Sequence, residues 1–209
     1  MDKTMTPSKP ITGGQAAKFD ELFVARLRKS GMPSEIVQQV LAEQGDAVAD
    51  EMLAVIRKRV EALTGMICRR VKVNRSRTPQ EMLDATGRAQ YTDKDVVAAM
   101  PKDGKDEEDV YFFKPDKSAY VNGYISDDEA ARQLELRNLK PDPYAQGAVN
   151  EADPAFADEC PNGTQWKNKD GKYCFATFRR WDDGRRSVLV HRFGSDAWDD
   201  RWFLSGVRK

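Results

Sequence analysis

A chain of 209 residues in which 40% are hydrophobic and 33% charged has the make-up of a soluble globular protein, with one large domain or one domain plus a helical appendage. No run approaches the roughly 18 uninterrupted apolar residues of a membrane-spanning helix, which excludes that class. The 34 Lys and Arg balance the 34 Asp and Glu, but unevenly: 9 against 9 over residues 1–63, 7 against 4 over 64–100, 7 against 15 over 101–160 and 11 against 6 over 161–209. An acidic middle between basic flanks fits folded segments that neutralise one another, or a nucleic-acid face beside an acidic partner face.

The opening MDKTMTPSKP lacks the apolar run of a secretory signal and the arginine-rich pattern of a transit peptide, so the expected location is cytoplasmic. Residues 1–13 are expected to be a disordered lead-in. From Gln15, Phe19, Leu22, Phe23 and Leu27 recur at helical spacing until Ser30-Gly31 stops the helix. Pro33 begins a second short helix ending near Gly45, and Asp46 caps a third with a stripe of Val48, Met52, Val55, Ile56 and Val60. Three helices joined by short loops predict an antiparallel unit over 14–63.

Past Thr64-Gly65 the period changes. Met66, Cys68, Val71 and Val73 predict a strand. Thr78-Pro79 with Glu81 forms a capping box and Gly87 ends that helix; Thr92 with Asp95 and Ser126 with Glu129 repeat the grammar for helices to about Pro101 and Arg137. KDGKDEED is expected to be a solvated loop and VYFFK a buried strand. Residues 138–165 hold Pro141, Pro143, Pro154 and Pro161 with few periodic apolar residues, which predicts a long irregular segment. From Thr164, strand-like runs separated by Lys169-Asp170-Gly171, Asp182-Asp183-Gly184 and Gly194-Ser195-Asp196 predict an antiparallel meander. The expected fold is therefore α+β: an N-terminal antiparallel helical unit, then over 64–209 a sheet of four to six strands packed on two or three short helices.

Chemistry-bearing patterns are few. Cys68, Cys160 and Cys174 match no zinc spacing, the acid pairs match no calcium loop, and neither a metal nor a cofactor is expected. Cys174 and His191 on adjacent strands would make a thiol–base dyad, weighed against an inert core thiol. Two binding surfaces emerge. The first is a protein-partner surface on the 138–165 segment beside the C-terminal sheet, with Tyr144, Asn150, Asp153 and Phe156. The second is a nucleic-acid surface of Arg69, Arg70, Lys72, Arg75 and Arg77 with Arg179, Arg180, Arg185 and Arg186, since arginines contact phosphates and nearby aromatics stack on bases. Trp166, Trp181, Trp198 and Trp202 serve equally as core. A non-enzymatic cytoplasmic binding module leads, followed by a nucleic-acid-binding protein, then a small enzyme acting on an anionic substrate through Arg75, Arg77, Asn150 or the cysteine–histidine pair.

The phrases VNRSRTPQEMLDATGRAQYTDKDVVAAMP, LELRNLKPDPYAQGAVNEADPAFADECPNGTQWKNKDGKYCFATF and WFLSGVRK resemble a group of uncharacterised bacterial proteins over residues 66–209. The helical front resembles modules that precede other domains in such proteins, which implies a boundary near residue 64 and no particular reaction.

Overall fold

A computed structural model describes residues 11–192 and 198–209. The chain divides into two compact units, Met1–Leu63 and Thr64–Lys209. The expected turn at Gly194-Ser195-Asp196 and the first ten residues of the expected lead-in lie outside the described residues.

The first unit holds α1, Gly13–Lys29, and α2, Ser34–Thr64. The lead-in is shorter than expected, because Thr12 already caps α1: its hydroxyl accepts from the Gln15 N–H at 3.2 Å and the Gln15 side chain accepts from the Thr12 N–H at 2.9 Å. Arg26, Arg28 and Lys29 sit in the last turn, where the carbonyl end of the helix favours cations, and Gly31 at φ 71° ends it. The two helices expected on either side of Gly45-Asp46 are one helix of 31 residues. A helical glycine costs about 1 kcal/mol against alanine, too little to break a helix with strong formers on both sides. Phe19 of α1 and Val48, Met52, Val55 and Ile56 of α2 line one shared concavity, yet no residue of either helix is buried.

The second unit contains, in chain order, β1 Met66–Lys72, α3 Pro79–Ala85, β2 Ala89–Thr92, α4 Lys94–Ala98, β3 Glu107–Phe113, β4 Tyr124–Ile125, α5 Asp127–Leu136 and β5 Leu139–Lys140. It continues with α6 Pro143–Ala152, α7 Phe156–Glu159, β6 Asn162–Lys167, β7 Tyr173–Arg180, β8 Arg186–Arg192, β9 Trp198–Asp199 and β10 Phe203–Arg208. The main sheet runs β1-β3-β10-β6-β7-β8-β2, with β5 beside β10. The meander holds through β6, β7 and β8, turned at Gly171 (φ 74°) and Gly184 (φ 86°). Beyond it the sheet is mixed and larger than expected, because β10 returns to pair parallel with β6 and antiparallel with β3, and β2 adds parallel to β8.

Both faces of the sheet are covered. Phe112 enters a core with Leu83, Val96, Tyr144, Val149 and Phe178, while its neighbour Phe113 enters the opposite core with Ile125, Leu134, Leu139, Trp198 and Leu204. That two-sided burial is why VYFFK reads as a continuous apolar run. Gly163 lets the Trp198 ring approach, since a Cβ there would stand 2.4 Å from it.

Three expectations are corrected. The 138–165 segment is not irregular: it contains β5, α6, α7 and most of β6. Its prolines punctuate helices, with Pro143 at the first turn of α6 and Asp142 capping it through the Ala145 N–H at 2.9 Å. Thr92 ends β2, and Asp93 stands at the cap position of α4 without a side-chain cap bond. The last residues of KDGKDEED already belong to β3. The caps at Thr78 and Ser126 are as the sequence implies, accepting from Glu81 and Glu129 N–H groups at 3.2 Å.

Candidate arginine cleft

Three of the four expected partner-binding residues turn inward. Tyr144 and Asn150 are fully buried on α6, and Phe156 packs edge-on against Phe112 with centroids 4.7 Å apart. Only Asp153 of that group is exposed, and it accepts from the Ala155 N–H at 3.2 Å. The Tyr144 hydroxyl donates to the Arg77 carbonyl at 3.1 Å. Asn150 joins an amide ladder, in which the side-chain N–H groups of Gln146 and Asn150 both donate to Asn162 Oδ1, at 2.9 and 3.1 Å. Tyr144 and Asn150 thus help hold α6 to the rest of the unit, and Asp153 alone of the four is at the surface.

The basic strand is spent internally as well. Arg70 pairs with Glu107 at 3.0 Å, Arg77 with Glu151 at 2.6 Å, and Arg75 grips Asp142 with two bonds of 2.9 and 2.6 Å. Arg69 lies over the Phe156 ring, while Lys72 is opposite Glu107 in the β1–β3 register. The acidic middle of the chain thus neutralises its basic flank, so residues 69–77 form no continuous cationic surface. Register also separates the proposed dyad. Cys174 is opposite Arg192 and Phe175 opposite His191, which places the thiol and the imidazole on opposite faces of the sheet. Burial raises the Cys174 pKa, favouring the inert thiol.

The other half of the predicted cationic set converges. The turn after α3, α7 and the β7–β8 hairpin enclose a surface cleft of about 470 Å³ lined by Gly87, Ala89, Asp158, Arg180, Gly184, Arg185 and Arg186. Arg186 binds Asp158 through Nε and Nη2 at 2.9 and 2.7 Å, and Arg185 pairs with Asp183 at 2.7 Å. Arg180 donates to the Gly184 carbonyl at 3.2 Å and has no ion pair among the described residues. Arg186, with Arg180 and Arg88 nearby, holds the Asp158 carboxyl below its ordinary range.

Behind the cleft, between Gly87 and Ala89, Arg88 is only 6% exposed. Its Nη2 donates to the Pro154 carbonyl at 2.8 Å and to Asn150 Oδ1 at 3.3 Å, and its guanidinium lies 5.6 Å from the Phe178 ring centre. Its Nε and Nη1 are buried without a hydrogen-bond partner among the described residues. Burial, assisted by the Arg186 charge, lowers its pKa to about 10, so it remains a cation at neutral pH. Tyr91 of β2 and Trp181 stand edge-to-face with centroids 6.2 Å apart, and the Arg179 guanidinium lies 3.2 Å over the Trp181 ring; the β2–β8 and β7–β8 registers place Tyr91 and Arg179 on the sheet face opposite Arg180 and Arg186. Arg88, Tyr91 and Asp158 are missing from the sequence-level site because β2 is only four residues long and Arg88 looks like any residue after a helix-ending glycine.

A second concavity of about 410 Å³ lies where α5, β5, β6 and β7 meet. Leu134, Leu139 and Trp166 supply its apolar surface, and Lys140, Lys167 and Lys209 also line it. Among the described residues no group of three or more His, Cys, Asp or Glu is placed to hold a metal ion, and no helix is long and apolar enough to cross a membrane. No protein-family model, curated protein or solved structure matches the chain.

Proposed function

We propose that the 64–209 unit is a non-enzymatic binding module that takes a phosphate-bearing ligand in the arginine cleft, with single-stranded nucleic acid as the ligand class. The observation that carries this reading is the buried Arg88, which forms no ion pair with a carboxylate among the described residues, set behind Arg180, Arg185 and Arg186 at an open cleft. A buried cation lacking a counterion is costly, and an anion seated against this cluster offsets that cost. Tyr91 stands close enough to Arg185 to interact with it and offers a ring for a base there. A cytoplasmic location accords with the Cys174 thiol, which is buried and not in a disulfide.

The test is fluorescence anisotropy of a labelled single-stranded oligonucleotide, with duplex DNA and inorganic polyphosphate as competitors. Charge-assisted hydrogen bonds are worth about 1.5–3 kcal/mol each, so the double variant Arg180→Gln/Arg185→Gln is expected to bind at least ~10-fold more weakly at an unchanged melting temperature. Equal binding by wild type and variant would remove the cleft from the account.

A second reading rests on the lysine-lined groove. Its apolar surface and three cations suit an acidic amphipathic peptide, which keeps a protein partner on the 138–165 segment and the C-terminal sheet, at residues other than those the sequence suggests. Lys140→Glu/Lys167→Glu, at two exposed lining residues, should abolish such binding and leave oligonucleotide binding intact.

A further inference from the structure

The first unit carries apolar stripes that its own fold does not cover. Ile36, Val40, Leu41, Leu53, Ile56 and Leu63 of α2 are 37–82% exposed. With the other large apolar side chains of the unit they present on the order of 1,000 Å² of apolar surface, more than the roughly 800 Å² that each partner gives to a standard interface. The charges on α2 say what covers it. Residues 34–56 contain Glu35, Glu43, Asp46, Asp50 and Glu51 and no Lys or Arg, and then Arg57, Lys58 and Arg59 follow in succession. With Glu61 the one acid beyond it, the basic stretch at 57–59 lets an α2 with an acidic leading part complement a second copy running the opposite way, whereas a parallel copy would set acid against acid and base against base.

We propose that this unit docks on the same unit of a second chain, with α2 antiparallel to α2, closing a four-helix bundle about a two-fold axis. In that arrangement Arg57, Lys58 and Arg59 of one chain lie along the Glu35 and Glu43 end of the other. Ile36, Val40 and Leu41 meet the stretch that carries Leu53 and Ile56. The proposal stands apart from the arginine cleft, which belongs to the second unit.

The test is light scattering on the full chain from about 1 to about 100 μM, where mass action makes a dimer visible. Wild type is expected at twice the mass of one chain. Arg57→Glu/Lys58→Glu/Arg59→Glu leaves the apolar stripe untouched and should weaken association at least ~10-fold with helical circular dichroism retained. Adding Glu35→Lys/Glu43→Lys to that same chain reverses the polarity of α2 and should restore the dimer, which a parallel pairing would not do. A wild type monomeric throughout would overturn the proposal and assign the stripe to another surface, whether this chain's second unit or an unlike partner. So would a dimer indifferent to the triple reversal, or a compensated chain that keeps its helical signal and stays monomeric.

Discussion

The 31-residue α2 buries none of its side chains, whereas the ten-residue α6 buries eight of its own, among them Gln146 and Asn150. The two halves of α2 are legible in the sequence as apolar stripes, read there as two helices because Gly45 looks like a stop, and propensity carries the helix across it. Helix α6 buries polar and apolar residues alike over its first eight positions, and it is held by the Asp142 cap, the Arg75 clamp and the core around it. Buried polar residues such as Gln146 and Asn150 pass for surface groups in a sequence.

That contrast can be broken at its strongest point first. Asp142→Asn keeps a capping side chain but leaves the Arg75 guanidinium, 11% exposed, without its countercharge. Removing one partner of a buried pair costs about 3–5 kcal/mol, so urea unfolding should show a loss of that order. The same change of glycine to alanine should then act with opposite sign in the two helices. In α6, a Cβ on Gly147 would stand 2.3 Å from the buried Met82 sulfur, an overpacking cost of about 1–3 kcal/mol against a propensity gain of about 1 kcal/mol. In α2, a Cβ on Gly45 meets nothing within 4 Å, and Gly45→Ala should stabilise by about 1 kcal/mol with increased helical signal. Losses at both positions would mean that α2 is packed as tightly as α6.

The smallest effect is electrostatic. Pairing with Arg186 holds the Asp158 pKa below its ordinary value, so the stabilising contribution is complete above the unfolded value of about 3.9 and is lost as pH falls through the lower folded value. Asp158→Asn should flatten that acid limb of a stability-against-pH curve. By releasing Arg186 it should also tighten oligonucleotide binding at neutral pH.

Legibility in the sequence followed local physics. The Thr78 and Ser126 caps, the β6–β7–β8 hairpins and the buried VYFFK strand were readable because capping, turn glycines and apolar runs act over a few residues. The parallel addition of β2 to β8 depends on contacts distant in the chain and left no local trace, whereas α6 had a local one, the Asp142-Pro143 start, that its four-proline surroundings obscured. The cleft was half legible: Arg180, Arg185 and Arg186 stand out in the sequence, but Asp158 and the buried Arg88 join them only through the placement of α7 and of the turn before β2, and Arg179 is turned to the other face of the sheet. The basic run at 69–77 shows the converse, since prominent arginines there have carboxylate partners as far as 74 residues away along the chain.

The most direct measurement is the salt dependence of oligonucleotide binding between about 50 and about 200 mM. Three phosphate contacts on a single strand predict a slope of log K against log salt near −2, from about −0.7 per contact, falling to about −0.7 in Arg180→Gln/Arg185→Gln. No saturable binding at the lower salt, or a slope that the double substitution leaves unchanged, would contradict the arginine cleft as the site.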